Sequence, residues 1–256
     1  MKQTNVYKVT GDVSGKIDVP VAFETDFRPD IIKKAVLASN ANGRQPYGPS
    51  KEAGLRHSVS TWGKGRGVAR VQRLKGGRRG AESPNNVTGR RAHPPRPERI
   101  WAQKINKKEL AIARKSALAA TADAEFVKQR GHRFDDGVSF PIVVEDAFQD
   151  ISTTAEVLQF FDSIGIGYDV DRAKEGTKIR AGKGKMRNRR YRTPKSILIV
   201  VSDREIPVFK GAANLPGVDI ESVCTLNTSI LAPGGDAGRL TVYTQSAMAK
   251  IGEWAQ

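Results

Sequence analysis

Ile197-Leu198-Ile199-Val200-Val201 is the stretch on which the fold turns. Five consecutive apolar side chains, bounded by turn signals, leave no polar face. Because a strand sends alternate residues to opposite sides, such a run needs cover on both, as in a parallel sheet packed between helices. Phe140-Pro141-Ile142-Val143-Val144 reads the same way, and Val6 to Val9, Val218 to Val223 and Leu240 to Tyr243 supply further strands. Helical patterns lie between them. One starts at Pro29 and carries Ile31, Ile32, Ala35, Val36 and Leu37 up to Asn40. A second is expected from Asn106 to Lys128, with Leu110, Ala113, Ala117, Leu118, Thr121, Ala122 and Phe126 as its core stripe, Asn106 as N-cap and Gly131 as stop. Ser152 or Thr153 caps a third, which carries Val157, Leu158, Phe160 and Phe161 and stops near Gly165; Gln245 to Trp254 forms the last. Strands alternating with helices predict an α/β fold with a mainly parallel sheet and flanking helices, three-layered and Rossmann-like but without a nucleotide site.

The charge is not spread over this body. Residues 40–99 hold 14 Lys+Arg against 3 Asp+Glu, and residues 172–195 hold 11 against 1, so these two segments exceed the whole chain's net +16 and the remainder is acidic by 5. Residues 40–99 also contain ten glycines, six prolines and two aromatics, Tyr47 and Trp62, with aliphatics too scattered to bury a face. The expected organisation is therefore a single α/β domain over residues 1–256, a long extended basic internal loop over 40–99 and a second basic segment over 172–195. Between Trp62 and Arg73 the cations alternate with glycine, which lets backbone approach phosphates while arginine offers a planar fork.

A charge run read blandly is a solvated surface. Both segments, however, are internal and flanked by regular structure, and a polyanion is the partner that layout suggests. RNA is favoured over DNA, since no helix-turn-helix or zinc finger is present and arginine-rich segments that order on binding suit irregular RNA. The candidate RNA-binding residues are Arg44, Trp62, Lys64, Arg66, Arg70, Arg73, Lys75, Arg78, Arg79, Arg90, Arg91 and Arg96 in the first segment. In the second they are Arg180, Lys183, Lys185, Arg187, Arg189, Arg190 and Arg192. Tyr47, Trp62, Trp101 and Tyr191 are candidates for stacking on unpaired bases.

Catalytic patterns fail. Five residues separate Gly176 from Gly182, and Gly184 follows Lys183, so the phosphate-loop spacing and its hydroxyl are missing. Gly63 to Gly67 is not placed between a strand and a helix, and Gly11 to Gly15 reads as a turn. Asp135-Asp136 and Glu145-Asp146 read as loop and helix-start charges. An RNA methyltransferase would need a glycine-rich turn after its first strand, with an acidic end to its second, and no such pair stands out. Cys224 excludes an internal disulfide and is expected to be a small buried hydrophobe; with His57, His93 and His132 far apart, no metal site is expected. The start lacks an apolar leader and no run spans a bilayer, so the expectation is a soluble intracellular protein with no membrane partner.

Five motifs then carry a resemblance: Ser60-Thr61-Trp62-Gly63-Lys64-Gly65-Arg66-Gly67-Val68-Ala69-Arg70-Val71; Arg91-Ala92-His93-Pro94-Pro95; Arg114 through Ala122; Arg180 through Arg190; and Leu231-Ala232-Pro233-Gly234-Gly235 through Leu240-Thr241-Val242-Tyr243. In this order they resemble the family of ribosomal protein four of the large subunit, over the whole chain. Archaeal members are the most similar, because eukaryotic ones continue into a long basic extension where this chain ends at Gln256. Gln72 departs from the pattern, since many members have proline there. The resemblance implies a non-catalytic protein of the cytoplasmic ribosome that binds large-subunit ribosomal RNA. It implies neighbouring large-subunit proteins as partners, no cofactor beyond magnesium ions that belong to the RNA, and a role in subunit assembly. It further implies that the long loop reaches the wall of the nascent-peptide exit tunnel, with Trp62 to Arg73 deepest and the nascent peptide near the tip, and that Lys183 to Arg192 make a second RNA contact. A free RNA-binding regulator of a messenger RNA would use the same surfaces.

Overall fold

The computed structural model describes residues 2–254. The chain divides into two compact units, one of Met1–Asn40 with Lys104–Gln256 and the other Ala41–Gln103. The first unit opens with β1 (Gln3–Tyr7) and β2 (Val13–Asp18), joined through a turn at Gly11. The residues up to Gly15, read above as turn, thus belong partly to a strand, and Gly15 pairs with Val6. Next comes α1 (Pro29–Asn42), its Ile32, Ala35, Val36 and Ala38 buried at helical spacing.

After Lys104 the predicted single helix is two: α2 (Lys107–Thr121) and α3 (Ala124–Arg130). The apolar stripe runs through the junction, but the Asp123 side chain accepts from Glu125 N and starts a new helix, which Gly131 ends in the left-handed conformation. Asn106 stands before α2 without a side-chain cap bond. Then follow β5, counted after two short strands β3 (Val59–Ser60) and β4 (Arg73–Leu74) of the other unit; β5 is Ile142–Val144. Thr153 caps α4 (Thr154–Ile164) by accepting from Glu156 N, and Gly165 stops it. Helix α5 (Gly167–Glu175) leads to a small hairpin, β6 (Lys178–Ile179) and β7 (Tyr191–Arg192). The chain finishes as β8 (Leu198–Val201), α6 (Val208–Ala212), β9 (Asp219–Ser222), α7 (Thr228–Leu231), β10 (Thr241–Thr244) and α8 (Gln245–Glu253).

Six strands form one sheet in the order β2-β1-β5-β10-β8-β9. Only β1 and β2 pair antiparallel; the other four pairings are parallel. The register sets Val242 between Ile142 and Ile199. Alternation then sorts the apolar runs onto two faces. Ile142, Val144, Ile199, Val201 and Val242 pack with Val157, Phe160, Phe161 and Val208, while Val143, Leu198, Val200 and Tyr243 pack with Ile32, Leu118, Met248 and Ile251. Every one of these sheet residues is fully buried, which is what an unbroken apolar run requires. Cys224 corrects an expectation: it lies exposed in the turn after β9, because the apolar positions there are taken by Val223 and Leu226 on either side.

The unit Ala41–Gln103 is built differently. Strands β3 and β4 pair antiparallel over two residues each, and Ala81 is its one buried hydrophobic side chain among the described residues. Turns and backbone bridges hold the rest, such as those between Arg73 and Gly80 and between Glu82 and Gly89. At its neck the Asn42 side chain donates to Gln103 O at 3.3 Å and accepts from Gln103 N at 2.8 Å.

Candidate nucleic-acid interface

Each basic segment contains a hairpin that carries part of its charge. In the first, β3 and β4 bracket residues 61–72, so the glycine-arginine alternation forms the connecting tip. Gly63, Gly65 and Gly67 all have positive φ, with open space where a Cβ would stand. It is backbone conformation rather than crowding that requires glycine there, and the result is a curled main chain with Lys64 and Arg66 standing out between glycines. Trp62 is half-buried, and the Arg73 guanidinium carbon lies 5.1 Å from its ring centroid. Arg73 also donates to the carbonyls of Arg78 and Ala69, tying the tip to the turn beyond β4.

In the second segment β6 and β7 bracket a short 3-10 turn, Lys183–Arg187. Arg180 holds this hairpin closed, donating to Arg189 O at 3.0 Å and Tyr191 O at 3.3 Å. Arg73 and Arg180 are therefore partly internal. Of the remaining candidates, Arg44, Lys64, Arg66, Arg70, Lys75, Arg78, Arg79, Arg91, Arg96, Lys183, Lys185, Arg187, Arg189, Arg190 and Arg192 are exposed, and Arg90 is half-buried.

Pairing separates cations that the composition treats alike. Lys51 meets Glu98 at 2.9 Å, Arg56 meets Glu52 at 3.0 Å, Arg172 meets Asp169 at 2.8 Å and Lys195 meets Asp219 at 2.7 Å. Among the described residues none of the eighteen candidate cations named above has a carboxylate partner. Each hairpin thus carries its positive charge unneutralised at the far end, with the ion pairs at its base or flanks.

The bases of both segments are stiffened by residues that sequence reasoning did not single out. Asp169 is buried and accepts from His132 Nδ1 at 2.9 Å, from Arg133 N at 3.0 Å and from Arg172. Burial alone would raise its carboxyl, but the hydrogen bonds from His132 and Arg172 hold it below the usual carboxylate range. Arg172 in turn donates to Lys195 O, linking the two ends of the second segment. Arg239, wholly buried, pairs with Asp219 at 2.7 Å and donates to the carbonyls of Ser196, Ile197, Gly217 and Ile230. In the first segment Arg99 was missed, though its position two residues from Trp101 is a signal: its guanidinium carbon lies 4.2 Å from that ring's centroid, and that of Arg44 lies 3.7 Å away.

The carboxyl ends of the parallel strands, where an open α/β sheet would place a nucleotide, are engaged internally. Asp146 after β5 accepts from Ser246 N at 3.0 Å and from Ser246 Oγ at 2.7 Å. A carboxylate of the chain thereby occupies the N-terminus of α8, the position a phosphate would take.

A mainly parallel α/β sheet with an internally engaged strand end, together with two hairpins of arginine and lysine without carboxylate partners among the described residues, defines a class of strongly electropositive α/β proteins. The family model described as "Ribosomal protein L4/L1 family" matches residues 17–254. The chain belongs to that family, a structural and non-enzymatic class of ribosomal proteins. Its similarity to archaeal relatives runs end to end. It is 50% identical to "Large ribosomal subunit protein uL4" of Archaeoglobus fulgidus over 98% of this chain and 99% of the relative. The protein of the same name from Methanococcoides burtonii is 49% identical over 98% of each chain, and that from Methanosphaera stadtmanae is 46% identical over 100% of this chain and 98% of the relative. No helix among the described residues is long and apolar enough to cross a membrane.

Proposed function

We propose that the chain is a constituent of the large subunit of the cytoplasmic ribosome and binds large-subunit ribosomal RNA through its two basic hairpins. The α/β unit serves as a three-layer, Rossmann-like body without a nucleotide site, and the basic stretch acts as a long internal loop. Trp62 to Arg73 is the loop's deep part and reaches the wall of the nascent-peptide exit tunnel, with the peptide passing near the tip. Lys183 to Arg192 make the second RNA contact. Neighbouring large-subunit proteins complete the surroundings, the chain contributes to subunit assembly, and any magnesium belongs to the RNA. The observation that carries this reading is the absence, among the described residues, of carboxylate partners for the eighteen candidate cations, while their neighbours Lys51, Arg56, Arg172 and Lys195 are paired. Solvated lysines and arginines of ordinary surfaces need no such segregation; phosphates of a folded RNA supply the missing charge.

Crosslinking in purified ribosomes tests it. Crosslinks from the Trp62 to Arg73 region to tunnel-wall RNA and to a stalled nascent peptide are the expected result. Crosslinks confined to messenger or surface RNA would overturn the tunnel placement.

A further inference from the structure

The neck of the basic unit contains a recess that the phosphate-contact reading does not use. A cavity of about 650 Å³ is lined by Arg44, Tyr47, His93, Pro94, Pro95 and Arg96, with Arg99 and Trp101 among its other walls. A neighbouring cavity of about 870 Å³ shares Tyr47, Pro94, Pro95 and Arg96 and adds Arg90 and Arg91. Both volumes fall in the range of about 300–1,000 Å³ over which proteins enclose small organic groups.

Charge decides what kind of group fits. Arg44 and Arg99 are gathered on one indole, at 3.7 and 4.2 Å from the Trp101 centroid. The face of the ring offsets part of their mutual repulsion, yet neither has a carboxylate partner among the described residues. The one carboxylate in the walls, Glu98, is engaged by Lys51 at 2.9 Å, whose hydrogen bond holds its carboxyl below the ordinary range. The recess is thus prepared for an anion. Its other wall is flat and apolar: Tyr47 is 81% exposed and stands beside two rigid proline rings. A planar heterocycle stacks on such a wall at little ordering cost.

We propose that this recess holds a single unpaired RNA nucleotide, its phosphate on the free edge of the Arg44 or Arg99 guanidinium stacked on Trp101 and its base against Tyr47 and Pro94-Pro95. This rests on the RNA-binding reading above. A concave site admits a base only when that base is out of its helix, so the recess selects a bulged or looped nucleotide over duplex. Arg90 and Arg91 at the rim receive the flanking phosphates.

The test uses the full chain and two probes, a single-stranded RNA octamer carrying one 2-aminopurine and the same octamer annealed to its complement. Wild type is expected to bind the single strand with a change in 2-aminopurine fluorescence. Tyr47→Ala, at a site too exposed to support the fold, lowers single-strand affinity about 5- to 100-fold with little effect on duplex, and Tyr47→Phe restores it. The double variant Arg44→Gln/Arg99→Gln lowers it further, whereas Lys183→Gln/Lys185→Gln weakens both probes alike. If wild type binds both probes and Tyr47→Ala is indistinguishable from it, the recess proposal falls while RNA binding stands. If wild type binds neither, the RNA-binding reading falls and the recess with it.

Discussion

Two buried polar residues show how the α/β unit holds the base of its own basic segment, residues 172–195. Arg239 satisfies four backbone carbonyls and one carboxylate from inside the core. Replacing it with methionine fills the space but leaves those carbonyls bare and Asp219 dependent on Lys195 alone. Because a buried carbonyl left without its donor costs about 1–3 kcal/mol, Arg239→Met should cost about 3 kcal/mol, readable by urea denaturation; a loss under about 1 kcal/mol would show that water replaces the guanidinium. His132 makes the opposite kind of contribution. Burial depresses its pKa despite Asp169 beside it, so the neutral ring donates from Nδ1 to Asp169 while Nε2 has no protein partner. Since the unfolded chain takes up a proton near the ordinary histidine value of about 6.5 and the folded one resists it, stability falls as pH drops below that value. Thermal melts from pH 7.5 to 5.5 should show this decline, and His132→Gln should flatten it. Asp169, whose carboxyl is depressed, adds a separate loss at lower pH, as the solution falls below the ordinary carboxylate value towards the lower folded one. Equal slopes for wild type and His132→Gln would refute the neutral-ring assignment.

The elements differ in how far they could be read. Strands β5 and β8 were legible because a fully apolar run has one physical solution, and α4 because Thr153 and Gly165 mark its ends. The break between α2 and α3 was not, since the apolar period passes through it and only the Asp123 cap decides. Helix α5 went unread: it begins at a glycine straight after α4 and owes its place to Asp169, whose hydrogen bonds come from His132 and Arg133 in an earlier loop. Cys224 was misplaced because residue type predicts burial on average, whereas here its neighbours take the core positions. The hairpins that carry part of the basic charge were not legible, as strands of two residues carry no period. The second hairpin makes an element-scale prediction. Lys183, Lys185, Arg187 and Arg189 are exposed and lack carboxylate partners among the described residues, so changing all four to glutamine should leave unfolding free energy within about 0.5 kcal/mol of wild type. RNA affinity should fall, with the slope of log affinity against log salt shrinking by about 0.7 for each phosphate contact removed. An unchanged slope would exclude this hairpin from the interface.

Across the whole chain, apolar burial is concentrated in one unit, while basic segments occur in both. The apolar burial lies almost wholly in the α/β unit, and Ala81 stands alone in the other. Ordering a residue costs about 1–2 kcal/mol of backbone entropy, and a unit with almost no buried surface must recover that from backbone bonds or from a ligand. Limited proteolysis of the free protein should therefore cut first within Ala41–Gln103, and bound ribosomal RNA should protect those sites. Resistance of this stretch without RNA would show that its turns suffice. Ten glycines and six prolines in residues 40–99 leave little with which to build a core, in keeping with that scarcity of burial.

The pair of hydrogen bonds between Asn42 and Gln103 has a consequence for how such a chain is altered over time. One side-chain amide acts as a drawstring, fixing the points at which the chain departs and returns whatever lies between. Loop closure grows only logarithmically with length, by about 0.6 kcal/mol per doubling. Segments can thus be spliced in or trimmed beyond the knot at small cost to the sheet, so the length of the basic excursion is free to vary.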